Sequence, residues 1–537
     1  MAERSPLAEI HRLMGEAAAA FGRGDVARAA MLGEQALALQ PGMPEALHLT
    51  GLCALARGDL AGALTRLERA ASLKPAEAQL VHNLGIARMQ AGDAAGAREA
   101  FARAAALDPR NAESWFNLAV VSGELGDAAA AERAYRRALE LDPGHAGAAS
   151  GLAALCEQGN QLEEAGRWTE VALKADPADA VAHLTRAQLD SRAGHQQEAA
   201  ARLETLLRQP LTARNRALAA GRLGAAFDKL GSPERAWTQY LAAKAALQET
   251  LTPPTAEGPY GFAAAERVAA QLDALLAGLP AFAADAAAPV FLVGFPRSGT
   301  TLLDQMLSSH PGIAVLEEQD TLQDFLGEFV LSDARLETLP ALDAAALMPW
   351  RERYWRRVES FMQERPRGKV LVDKLPLNSV FMPLLARLIP GARFIFALRD
   401  PRDVVLSCFM QTFTLNEAMR HFLSLAETAR YYAAVMGVAA RAEAGLGPRV
   451  LRIRYEDVVA DTEKTARRLL EFLELSWDPA VLSFHETARQ RRINTPSYQQ
   501  VVQPVYGSAR ERWRKYADEL KPVLPVLEPF VKMFGYS

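Results

Sequence analysis

Val290-Phe291-Leu292-Val293-Gly294-Phe295-Pro296-Arg297-Ser298-Gly299-Thr300-Thr301-Leu302-Leu303 decides how the second half of this chain folds. The apolar run 290–293 lacks polar alternation, as a parallel strand covered on both faces does. A glycine-containing loop follows, and Leu302, Leu303, Met306 and Leu307 then recur at helical spacing. Strand, glycine loop and helix N-terminus together form an anion cradle, because backbone N–H groups and the helix dipole face the bound charge. A nucleoside-triphosphate loop of the GxxxxGK[ST] type needs a lysine after its last glycine, and Thr300 stands there instead. No apolar strand ending in a magnesium-binding aspartate stands out, so ATP hydrolysis is not the expected chemistry.

Further strand ends lie downstream. Arg393-Phe394-Ile395-Phe396-Ala397-Leu398 reads as a second buried strand and runs into Arg399-Asp400-Pro401-Arg402-Asp403-Val404-Val405-Leu406-Ser407. Val370-Leu371-Val372-Asp373-Lys374 ends a third, just before Leu375-Pro376. His310-Pro311 follows the first helix, and Leu316-Glu317-Glu318 comes soon after. Arginine is suited to phosphate, because its planar fork donates two parallel hydrogen bonds. Any one of these segments alone reads as a strand followed by a solvated turn.

Taken together at this spacing, the loop 296–301 and the segment 399–407 resemble the two nucleotide-binding elements of sulfotransferases that use 3′-phosphoadenylyl sulfate. The Glu317-Glu318 pair is similar to that of tyrosylprotein sulfotransferases and their repeat-bearing relatives. The resemblance covers about residues 288–537. It implies a P-loop-like α/β domain with a central, mainly parallel sheet. It implies that Arg297, Ser298, Gly299, Thr300 and Thr301 hold the 5′-phosphosulfate, and that Arg399 and Ser407 hold the 3′-phosphate. Residue-by-residue carry-over makes Glu318 the catalytic base and Lys374, jointly with Arg297, the stabiliser of the leaving group. It also brings Ser497 beside that lysine near the sulfate. Such a transfer needs a base for the acceptor proton and cations for the oxygens that gain charge. Two adjacent carboxylates cannot both face one proton, so Glu317 is expected to orient the loop or the acceptor. His310 suits a helix C-cap, and Ile453-Arg454-Tyr455-Glu456-Asp457 an architectural strand end. Two residues depart from the pattern: Pro496 precedes Ser497, and Gln503 stands where the tyrosylprotein enzymes have lysine. Tyr431 and Tyr432 lie near the place of an adenine-contacting tyrosine. Arg510, Arg512, Trp513, Arg514 and Lys515 form a solvated helix face or a closure over the nucleotide. No metal is expected, since Arg297, Lys374 and the loop amides supply the positive field.

The first half carries a repeat. Prolines 41, 75, 109, 143 and 177 fall 34 residues apart, and Gly24, Gly58, Gly92, Gly126, Asn160 and Gly194 keep the same beat. Trp115, Leu118, Gly126, Ala131, Tyr135, Ala138 and Pro143 resemble one tetratricopeptide repeat, which implies stacked helix pairs. About six units span residues 10–210, and a looser seventh carries Gly231, Ala236, Tyr240 and Ala243. The expected fold is thus an α-solenoid over 1–245, a linker over 246–287 and the transferase domain over 288–537. The solenoid either binds a protein or peptide in its concave groove or serves as a scaffold or homodimer contact; the residues leave both open.

Bulk properties bound the rest. A chain of 537 residues exceeds one core, and a net charge of −4 argues against a nucleic-acid-binding surface. Three scattered cysteines make neither a disulfide framework nor a zinc site, and no apolar segment suggests a leader or a membrane span, so a cytoplasmic location is expected. Three functions remain open. They are a transferase acting on protein tyrosine recruited by the repeats, one acting on a carbohydrate or small molecule, and an inactive repeat scaffold. Intact Arg297, Glu318, Lys374, Arg399 and Ser407 argue against the last.

Overall fold

The glycine beat of the first half marks the turn inside each helix pair. Gly24, Gly58, Gly92, Gly126 and Gly194 all have φ between 77° and 89°, and Asn160 takes φ 60° in the same place. That left-handed turn joins the two helices of a pair. The residue after it caps the second helix: Asp25, Asp59, Asp93 and Asp127 each accept a hydrogen bond from a first-turn N–H. Small residues bring the helices close. A Cβ at Gly85 would stand 2.7 Å from the Phe101 ring, which is fully buried against it.

This computed structural model describes residues 6–251, 258–282, 285, 287–484 and 510–537. The chain divides into two compact units, one of Met1–Glu157 with Gln161–Leu189 and one of Gln158–Asn160 with Asp190–Ser537. The division expected at 245 and 287 is therefore redrawn by packing. The helices Ala213–Lys229 and Pro233–Gln248 keep repeat-like sequence but belong to the second unit. Trp237 packs 4.9 Å from Phe409, and Lys244 Nζ donates to the Gln411 carbonyl at 2.8 Å, closing the end of the helix Pro401–Met410. Burial lowers the Lys244 pKa to about 7. The helix Phe262–Ala277, inside the expected linker, buries Val268, Leu272 and Leu275 and pairs Asp273 with Arg441 at 2.6 Å.

The second unit is built on five parallel strands: β1 Val290–Gly294, β2 Ile313–Glu317, β3 Val370–Lys374, β4 Arg393–Leu398 and β5 Val450–Arg454. Their order across the sheet is β2-β3-β1-β4-β5. The chain leaves β1 in the middle, passes beyond β3 to form the edge strand β2, returns through β3, and crosses to the far side for β4 and β5. All five carboxyl ends lie along one edge, and the order reverses around β1, the place where open α/β sheets bind ligands. Both faces are covered. Val290, Leu292, Val372, Ile395 and Ile453 pack with the helices Thr300–Ser308 and Thr462–Phe472. On the other face Phe291 meets Tyr354 and stacks on Phe394, and Phe396 meets Phe534. Among the described residues no helix is long and apolar enough to cross a membrane.

The C-terminal segment is tied to the last repeat-like helices within this unit. Arg512 pairs with Asp228 at 3.0 Å, and the Tyr516 hydroxyl donates to Asp228 Oδ1 at 2.6 Å. Asp228→Ala removes both acceptors at once and is expected to cost about 1–3 kcal/mol, the scale for hydrogen bonds to a charged group. The measurement is the urea midpoint by circular dichroism; an unchanged midpoint would deny this lock any energetic weight.

Candidate functional site

Three strand ends and one helix start converge at the carboxyl edge of the sheet. After β1 the chain turns through Phe295-Pro296-Arg297-Ser298-Gly299 into the helix Thr300–Ser308. The Ser298 N–H donates to the Phe295 carbonyl at 3.1 Å, and two residues, Arg297 at φ 72° and Gly299 at φ 92°, take the left-handed conformation. For Gly299 the constraint is double, because a Cβ would lie 2.8 Å from the Tyr455 ring. The loop thus leads straight into the start of the helix at Thr300, the end of a helix whose dipole favours an anion.

Arg399, Ser407 and the loop form the second half of the cradle. Arg297 Nε donates to Ser407 Oγ at 3.1 Å, across 110 residues of sequence. Arg399 Nη1 donates to the Arg297 carbonyl at 3.3 Å, and its guanidinium lies 4.9 Å from the centre of the Tyr455 ring. Asp403 sits 3.8 Å from Arg399, with burial pushing its carboxyl up to about 6 against the pull of that arginine. Asp403 Oδ1 also accepts the Trp513 N–H at 2.8 Å.

At the end of β3 side chains alternate, so Lys374 faces the loop helix while Asp373 faces the opposite layer. Lys374 is fully buried, and its ammonium stands 2.8 Å from Glu318, 3.4 Å from Glu317 and 3.8 Å from Asp304. Burial disfavours that charge, but Glu318, Asp304 and Glu317 together outweigh it and raise the lysine pKa. Burial likewise pushes the Asp304 carboxyl up, opposed by Lys374 and reinforced by Glu317 and Glu318. Glu318 is held by its backbone at φ 48°, its N–H donating to the Lys374 carbonyl at 2.7 Å, and its side chain keeps 36% of its surface open. A buried ammonium and an accessible carboxylate thus face each other beside the loop that leads from β1 into the helix Thr300–Ser308. Such a pair can take a proton from one group and offer positive charge to another.

The structure brings Arg297, Ser298, Gly299, Thr300, Thr301, Glu318, Lys374, Arg399 and Ser407 to this one edge. Ser497, Pro496 and Gln503 lie outside the described residues. Tyr431 and Tyr432 do not line the cradle. Both are core residues, packed edge-on against Phe295, and Tyr431 donates its hydroxyl to the Tyr260 carbonyl. Within the basic-aromatic run, Arg512 is committed to Asp228, and the Trp513 ring lies 4.0 Å under the Arg402 guanidinium. His310 accepts the Gly312 N–H at 3.0 Å and contacts the Ser476 carbonyl, a structural position. Arg454 and Glu456 are architectural too: Glu456 accepts from the Asp400 N–H and the Tyr536 hydroxyl. Two residues at the site went unnoticed in the sequence. Tyr455 reads as part of an architectural strand end yet walls the loop at Gly299, and Asp304 reads as an ordinary polar position on an amphipathic helix.

Residues 289–479 match the family model described as the sulfotransferase family, and residues 12–78, 82–122 and 124–189 match tetratricopeptide repeat models. An uncharacterized protein of Aquifex aeolicus is 29% identical over 252 residues, 45% of this chain and 32% of its own length. Protein-tyrosine sulfotransferase A of Caenorhabditis elegans is 26% identical over 261 residues, 46% of this chain and 67% of its length. Protein-tyrosine sulfotransferase 1 of Danio rerio is 26% identical over 269 residues, 46% of this chain and 72% of its length. The chain therefore spans about a third of the first relative and about two thirds of the other two. Among solved structures, a tetratricopeptide repeat protein from Parabacteroides merdae aligns with TM-score 0.37 and 19% identity over 44% of this chain and 93% of that one.

Asp373 offers a test of the electrostatics at the strand ends. Its Oδ2 accepts from Thr321 at 2.8 Å and Tyr354 at 3.1 Å, yet burial still pushes the carboxyl up to about 7. A carboxyl raised on folding keeps its proton longer in the folded chain, so stability falls as pH rises from the ordinary carboxyl value of 3.8 to about 7 and levels off above it. Asp373→Asn keeps an acceptor for both hydroxyls and removes that penalty. Its thermal midpoint is expected to exceed that of the wild type by several degrees at pH 8, and the gain to vanish toward pH 4. A gain or loss of equal size at both pH values would contradict this assignment.

Proposed function

Taking the chain as tetratricopeptide repeats joined to a sulfotransferase-family domain, we propose that the second unit moves a sulfuryl group from 3′-phosphoadenylyl sulfate to an acceptor hydroxyl. The observation that carries the reading is the juxtaposition of Glu318 and Lys374, 2.8 Å apart, with the loop that Arg297 ties to Ser407. In this reading the donor's 5′-phosphosulfate lies on the loop amides and Arg297, and its 3′-phosphate lies against Arg399 and Ser407. Glu318 takes the proton of the acceptor hydroxyl as the hydroxyl oxygen bonds to sulfur. The bond from sulfur to the bridging oxygen breaks, and Lys374 with Arg297 meets the charge that this oxygen gains. The product nucleotide is 3′-phosphoadenosine 5′-phosphate. Positive groups fixed in advance at the developing charge lower the barrier, because they need no reorganisation during the reaction.

Protein tyrosine is the proposed acceptor. Support comes from the two animal relatives named as protein-tyrosine sulfotransferases and from a repeat array of a class that suits peptide binding. The repeats would then recruit the acceptor or a partner that carries it. Incubation of the full chain with sulfur-35-labelled donor, a tyrosine-peptide pool and a glycan pool tests this. Label on peptide tyrosine is expected; label on glycans alone would move the acceptor to carbohydrate, and no label on either would leave the scaffold reading.

Two variants probe the roles. Lys374→Ala is expected to lower kcat by about 10²-fold or more, the scale for losing one preorganised charge donor; a near-wild-type rate would remove Lys374 from the chemistry. Arg399→Ala is expected to weaken binding of 3′-phosphoadenosine 5′-phosphate while leaving adenosine 5′-phosphosulfate, which lacks the 3′-phosphate, little changed. Equal losses by calorimetry would mean that Arg399 supports the loop rather than the ligand.

A further inference from the structure

The proposed reaction uses one of the three carboxylates around Lys374, and the least exposed of them has no assigned task. Asp304 lies on the second turn of the helix Thr300–Ser308 with 2% of its surface exposed. Its Oδ2 stands 3.8 Å from Lys374 Nζ and makes no hydrogen bond among the described residues; burial and the neighbouring Glu317 favour its neutral form, and Lys374 opposes them by favouring the carboxylate. A buried polar atom without a partner is costly, and such groups concentrate at functional positions. Lys374 would not lack counter-charges without it, since Glu318 and Glu317 stand nearer. Pairing alone does not account for the aspartate.

We propose that Asp304 is a positioning residue that acts through Lys374, as the fixed counter-charge that keeps the ammonium at the anion loop when Glu318 turns to the acceptor. At rest Glu318 and Lys374 occupy each other, with a 2.8 Å hydrogen bond from Nζ to Oε1. For transfer they must part, because Glu318 needs that lone pair for the acceptor proton and Lys374 needs that N–H for the donor. Glu318 stands on a turn with an open side chain and can move. The Lys374 backbone cannot, because β3 is clamped in register between β2 and β1. Once Glu318 leaves, Glu317 draws Nζ back along β2, whose Cα it opposes directly. Asp304 draws Nζ instead toward the helix that begins at the loop. Its helical backbone cannot follow Glu318, so its charge stays where the donor binds.

This inference rests on the sulfotransferase reading above. The test uses Asp304→Asn, equal in shape but uncharged, and Asp304→Glu, which restores the charge, both in the full chain. For Asp304→Asn, kcat is expected to fall about 10- to 100-fold, the scale of a misplaced catalytic group. Affinity for 3′-phosphoadenosine 5′-phosphate should stay within about twofold, and the thermal midpoint should equal or exceed that of the wild type. Asp304→Glu should recover part of kcat. A wild-type kcat in Asp304→Asn would overturn the proposal, as would a loss matched by weaker nucleotide binding or a lower midpoint, which would make Asp304 architectural. If the wild-type chain itself fails to bind the nucleotide, the sulfotransferase reading falls and takes this proposal with it. If the wild type binds and turns over while the variants behave alike, only the proposal falls.

Discussion

Burying a lysine ammonium without exposed surface is tolerable only where opposite charge surrounds it, and the end of β3 meets that condition from two directions. Glu317 ends the neighbouring strand β2 with Glu318 in the turn after it, and Asp304 arrives on the helix that follows the loop. The strand order makes this meeting possible. β2 lies beyond β3, so the loop helix between β1 and β2 lies beside β3, and its second turn brings Asp304 to Lys374. β2 then runs parallel to β3 and delivers Glu318 to a position where its N–H pairs with the Lys374 carbonyl. Cation, base and anion loop are therefore consequences of one topological arrangement.

On the other side of β1, the sheet supplies the second cluster by a similar device. Arg399 directly follows β4, and the helix after it returns Ser407 to Arg297 at 3.1 Å. That helix is stabilised at its far end by Lys244 and flanked by Trp237, both from repeat-like helices of the same unit. The chain terminus adds Arg512 and Tyr516 on Asp228 and a backbone contact from Trp513 to Asp403. The helices 213–248 thus pack against the helix Pro401–Met410, which carries Ser407.

Much of this site was legible in the sequence because its parts are local motifs. An apolar run, a glycine loop and a helical pattern specify the β1 unit without any long-range information, and the 34-residue beat specifies the helix pairs through the left-handed turns it requires. Lys374 and Arg399 stand at strand ends, where side chains reach the ligand edge of a parallel sheet. What stayed hidden depended on tertiary neighbours. Asp304 follows Leu303 on a helix whose polar side should face water, and only the packing of that helix against the end of β3 covers it. Tyr431 and Tyr432 have the composition of a ligand shelf, yet they sit behind Phe295 in the core. Periodicity names the repeat units but not which neighbour a unit packs against, so the helices 213–248 looked like solenoid while joining the second unit. Arg512 sits in a basic run that reads as solvated, and its carboxylate partner is distant in sequence.

The account turns on Glu318 as the base released by Lys374, and single-turnover transfer by Glu318→Gln at saturating donor addresses that point most directly. The predicted result is nucleotide binding like that of the wild type with transfer slowed by about 10²- to 10⁴-fold, the range for losing a general base. Transfer at the wild-type rate would contradict the account and return Glu318 to an ordinary ion pair.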